Sequence, residues 1–134
     1  MVTALTWIHV VAVALGGFFS WFLGGIDGLI YVLIAFVAVD YVTGVMRSIT
    51  EKKLCSQVGA NGIFMKITVF LLVGAANMID IYLIRSDGNM LKNAVVFFYI
   101  SNEGISVLEN AAAIGLPIPN KLKDTLVTLR NKNL

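Results

Sequence analysis

The stretch "ALTWIHVVAVALGGFFSWFL", residues Ala4–Leu23, holds no Lys, Arg, Asp or Glu. At 1.5 Å per residue, about 20 such residues form a helix that spans the hydrocarbon core of a bilayer. No Lys or Arg precedes the run, and it outlasts the apolar region of a secretory signal, so it reads as a retained transmembrane helix. Trp7 and Trp21 lie near its two ends, where amphipathic rings favour the membrane interface. The remainder of the chain agrees. Of its 134 residues, 58% are hydrophobic and 13% charged, too little charge to clothe a soluble domain of this size. One membrane domain over residues 1–134, without a separate soluble module, is the expected organisation.

Three further apolar segments follow. A glycine-rich turn, "GGIDG", leads to a segment at 29–46. The stretch 47–66 is polar and punctuated by glycine, and reads as a loop with Gly59 and Gly62 as turn or hinge residues. A third segment covers 67–84, and Asp87-Gly88 marks the tip of a short turn after it. A fourth covers 93–116 and stops at Pro117 and Pro119. In the tail, 117–134, Leu122, Leu126 and Leu129 fall at i, i+4 and i+7, the spacing of a short amphipathic helix for a membrane surface or another tail. The expectation is an all-α polytopic protein with four transmembrane helices and a short C-terminal amphipathic helix; a three-span arrangement, with the fourth segment at the interface, is the alternative. Eight of the ten basic residues lie in 47–66 and the tail, which places both, and hence both termini, in the cytoplasm.

The fourth segment contains "FFYISNEGISVLEN". On a helix, Asn102, Glu103, Ser106, Glu109 and Asn110 fall within an arc of roughly 120°, with apolar residues around the rest. Asp40 and Thr43 stand late in the second segment; Lys66, Asn77 and Asp80 share one side of the third. A carboxylate at mid-bilayer costs on the order of 3 kcal/mol, so such groups face a partner or water and mark function by default. The bland reading is helix–helix glue, at about 0.6 kcal/mol per hydrogen bond. The arc on the fourth segment exceeds what one packed helix pair needs, which favours a pore lining or a contact between subunits. Gly16, Ser20 and Gly24, spaced by four, form a small-residue ridge for close packing, as does Gly44 in the second segment.

Several chemistries are excluded. A single cysteine, Cys55, permits no internal disulfide and no paired-cysteine metal site, and a single histidine, His9, no multi-histidine zinc centre. His9, within an apolar run, reads as a packing or interfacial residue. No nucleophile–base–acid set and no phosphate-binding loop is present. A net charge of +2 gives nucleic-acid binding no support. Hence no enzyme, no cofactor and no metal is expected.

Three elements occur in order: "DYVTG" at 40–44, "SQVGANGIFMK" at 56–66 and "NEGISVLEN" at 102–110. Together they resemble the toxin-secretion/phage-lysis holin family, over roughly 25–129. The resemblance implies a protein that homo-oligomerises in the bacterial cytoplasmic membrane and opens lesions at a set time. An endolysin or a large protein toxin then passes as cargo. Two other functions fit the residues alone. One is a small proton-coupled transporter with Asp40, Asp80 or Glu103 as proton site, disfavoured by the lack of an acid in the first segment. The other is a non-conducting membrane scaffold that binds partners through its basic loop and tail.

Overall fold

The computed structural model describes residues 3–85 and 87–132. Those residues form five helices and no strand: α1 (Ala4–Leu23), α2 (Gly28–Thr50), α3 (Ser56–Ile79), α4 (Met90–Ile114) and α5 (Asn120–Lys132). α3 runs on into one π-helical turn, Asp80–Ile84. Three helices are long and apolar enough to cross a membrane: α1, α2, and α3 with its π turn. α4 has 25 residues, length enough to span, but carries Lys92, Glu103 and Glu109 and does not reach that apolarity.

The expected loop at 47–66 is mostly helix. α2 continues to Thr50 and α3 begins at Ser56, leaving only 51–55 as connection. Gly59 and Gly62 are therefore helical, not turn residues. They face Tyr41: a β-carbon at Gly62 would stand 3.3 Å from the Tyr41 ring. The Tyr41 hydroxyl donates to the Gly59 carbonyl at 3.4 Å. Glycine here gives α2 and α3 a close approach.

The helix ends follow local chemistry. Asp27 caps α2 by accepting the Ile30 N–H at 3.0 Å. Gly24 and Gly25 turn the chain out of α1 at φ +78° and +95°, backbone that a side chain would strain. Gly24 is thus the C-cap of α1 and stands off the expected ridge; a β-carbon there would collide with the Asn77 side chain. Gly16 has nothing within 4 Å of where its β-carbon would be.

α4 lies at the centre, against α2, α3 and α5. Ile30, Leu33 and Val37 of α2, Val69 and Val73 of α3, Val96 of α4 and Leu23 of α1 make the apolar core. Lipid tails are as apolar as these side chains, so close packing and hydrogen bonds, rather than escape from water, must hold membrane helices together. α1 is exposed from Ala4 to Phe19 and packs only on α3, through its last turn.

Candidate functional site

Two polar layers cross the bundle, about 20 Å apart along α2 at 1.5 Å per residue. The first lies beside the 24–27 connection, between the π turn and the first turn of α4. Asp80 accepts the backbone N–H groups of Leu91 at 3.2 Å and Lys92 at 2.7 Å. Asn89, the residue at the α4 N-cap, makes no side-chain cap bond, so the π turn after α3 supplies the cap instead. Asn77 donates to the Phe22 carbonyl at 3.0 Å and ties α3 to the last turn of α1. The Lys92 side chain is 1% exposed, and its Nζ lies 3.9 Å from Asp27 Oδ2.

The second layer is charged. Lys66 of α3 donates to Asp40 Oδ2 of α2 and, at 2.6 Å, to Glu103 Oε2 of α4. Asn110 completes it, donating to Asp40 Oδ1 at 3.0 Å and Thr43 Oγ1 at 3.1 Å. The Thr43 hydroxyl in turn donates to the Val39 carbonyl at 2.8 Å. Gly44 leaves room for the Asn110 amide, which would stand 3.6 Å from a β-carbon there. Asp40 is 5% exposed and Glu103 3%. Carboxylates so buried need a cation and further donors to offset the loss of water, and Lys66 and Asn110 supply both.

A cleft lies on either side of this layer. One, of about 320 Å³, opens between α2 and α3 and is lined by Tyr41, Gly44, Arg47, Gly62 and Ser106. The other, of about 340 Å³, opens between α3 and α4 beside Leu72, Tyr99 and Asn102. Asp40, Lys66 and Ser106 border both, so the ion layer is the partition between them.

The polar arc of α4 therefore divides. Glu103 and Asn110 are buried against α2 and α3; Asn102 and Ser106 are half-buried at the clefts; Glu109 is exposed, with Lys123 of α5 at 4.0 Å. Lys66, expected on one side of its helix with Asn77 and Asp80, belongs to the charged layer, while the other two belong to the first. Sequence reasoning missed Lys92, Asp27 and Tyr41. Lys92 carried a signal, a cation in the first turn of a helix just before the apolar run 94–100, whereas Tyr41 needed knowledge of which helix it faces.

The three sequence elements at 40–44, 56–66 and 102–110 thus meet in one place: the first provides Asp40, Tyr41, Thr43 and Gly44, the second Gly59, Gly62 and Lys66, the third Glu103 and Asn110. No solved structure matches the chain. A 14.9 kDa protein of Clostridium perfringens, described as uncharacterized, is 42% identical over 120 residues, covering 90% of both chains. YqxH of Bacillus subtilis is 38% identical over 81% of this chain and 76% of its own. A probable holin of Bacillus phage phi105 is 39% identical over 95 residues, 71% of this chain and 69% of its own. The bacteriophage holin family model matches residues 17–131, and the chain belongs to that family.

Proposed function

We propose that the chain accumulates in the bacterial cytoplasmic membrane, homo-oligomerises, and opens lesions that let an endolysin or a large protein toxin across. The observation that carries this reading is the charged layer. Asp40, Lys66 and Glu103 satisfy one another inside a single chain, which leaves the outer faces of α1, α2 and α3 apolar. A lone copy is then a quiet membrane protein. A four-helix bundle is too narrow to enclose a protein-sized passage, so passage requires several copies. Asn102, Ser106 and Glu109 are the members of the α4 arc left open to a neighbouring copy or to water.

In this reading α4 is the fourth crossing. It packs along α2, itself apolar enough to span, and the two share the charged layer at the same depth. Setting aside Lys66 and Lys92 of the polar layers and the basic residues of α5, Arg47, Lys52 and Lys53 lie at the end of α2 and in the 51–55 connection, against Arg85 at the opposite end. That asymmetry supports cytoplasmic termini.

Controlled expression in bacteria tests the reading. A membrane-potential dye should report sudden collapse at a reproducible time, and a co-expressed cell-wall hydrolase should then lyse the culture. Steady potential at full membrane levels of the protein would refute it. A second reading, a small proton-coupled transporter, draws on the position of Lys66 between two carboxylates and two clefts. It requires gradient-coupled efflux without loss of potential.

A further inference from the structure

α5 lies where a charged helix has no obvious right to be. Leu126 and Phe36 of α2 both stand over Gly104 of α4: a β-carbon on Gly104 would stand 3.2 Å from Leu126 Cδ1 and 3.2 Å from Phe36 Cε2. Gly104 and Phe36 fall in the middle third of their helices. Lys123, three residues before Leu126, meets Glu109, five residues after Gly104. α5 therefore runs antiparallel to α4 and reaches back to the middle of the bundle.

Its seat is built into the chain. Gly115, at φ +120°, ends α4, and the Leu116 N–H donates to the Ala111 carbonyl at 3.0 Å, the bond that reverses a helix at its end. Pro117 and Pro119 stiffen the short connection. Gly104 supplies a gap in the α4 surface that the Leu126 methyl groups occupy.

The outward side of α5 carries Lys121, Asp124, Thr125 and Thr128, all exposed, with the exposed Leu122 and Leu129 along one flank. If α2 crosses the bilayer, this side stands at hydrocarbon depth, where each charge costs on the order of 3 kcal/mol against lipid. A polar surface held at that depth must face water or another polar surface. We propose that the Lys121–Asp124–Thr125–Thr128 side of α5, docked on α4, faces water at bilayer depth and is the wall each subunit turns toward the aqueous passage. The inference rests on the lesion-forming reading and refines it: the passage is lined by α5, while Glu103 and Asn110 stay inside the subunit.

Two measurements on the full chain in sealed lipid vesicles test it, both in a Cys55→Ser background. Nitroxides attached at Asp124→Cys and Thr128→Cys should collide more often with a water-soluble nickel complex than with oxygen dissolved in lipid. Separately, the pair Glu109→Cys and Lys123→Cys, oxidised to a disulfide, pins α5 to α4. The pinned protein should release an entrapped dextran within about twofold of the rate of its reduced form. Nitroxides that report lipid would overturn the proposal. So would a pinned protein that inserts and assembles yet releases nothing until reduced, since α5 must then leave its seat. Failure of the wild type to release any dextran would strike the lesion-forming reading instead. Water contact at Thr128 in that case would keep the water-facing placement, and lipid contact would end both.

Discussion

Gly62 and Tyr41 approach so closely that a β-carbon on Gly62 would stand 3.3 Å from the Tyr41 ring. Contact at that distance leaves a methyl group little room and a branched side chain none. Gly62→Val should push α3 away from α2 and lower stability by about 1–3 kcal/mol, the usual cost of overpacking. Gly59→Ala meets only the Tyr41 hydroxyl, at 3.5 Å, and gains helix propensity. It should be neutral or slightly stabilising. Thermal unfolding in detergent, followed by circular dichroism, separates the two.

Lys66 is the cation shared by two buried carboxylates. Lys66→Met leaves Asp40 and Glu103 facing each other without it, and should destabilise by roughly 3–5 kcal/mol. The triple replacement Asp40→Asn, Lys66→Met, Glu103→Gln removes every charge of the layer and should recover most of that loss. Resistance to proteolysis in detergent reads both. Equal stability of Lys66→Met and wild type would mean the layer is not held by this ion pair.

Asp80 caps α4 from the π turn after α3. Asp80→Ala leaves two backbone N–H groups without that acceptor and should cost about 1–2 kcal/mol, within the range of helix caps. Hydrogen exchange should rise in the first turn of α4 and stay unchanged at the 51–55 connection. A uniform rise along the chain would contradict a capping role.

Cys55 is exposed in the short connection between α2 and α3. With that connection in the cytoplasm, a membrane-impermeant thiol reagent should label it in inverted vesicles and leave it untouched in intact cells before any lesion opens. Labelling from outside intact cells would reverse the orientation.

Much of this was legible in the chain itself, and what was not has physical causes. A charge-free run of helical length allows α1 little freedom, and its bounds can be read directly. Asp40, Lys66, Glu103 and Asn110 stood out because acids, amides and amines are costly in lipid. Their pairing did not, since Asp40 lies 26 residues from Lys66 and 70 from Asn110. The segment 56–66 looks like a loop because Gly59, Asn61 and Gly62 are poor helix formers in isolation. It is helical because the same glycines admit Tyr41. The leucine spacing of α5 announces an amphipathic helix but fits any apolar partner. Of the three leucines only Leu126 is seated, at Gly104 of α4, while Leu122 and Leu129 stay exposed.

The joint between α1 and α3 has a mechanical consequence. The Phe22 ring lies where a side chain on Gly74 would be, and Asn77 holds the Phe22 carbonyl, so α1 is fastened at one end. From the joint at Phe22 to its tip at Ala4, at 1.5 Å per residue, the helix is about 27 Å long. Each degree of rotation at the joint moves the far tip by about half an ångström. No other helix of the same chain packs beside the arm from Ala4 to Phe19, so in a single copy its inclination is free to match bilayer thickness, much as a float follows the water level. A tilt of the arm therefore bears on Phe22 and on Gly74, near the C-terminal end of the helix that carries Lys66.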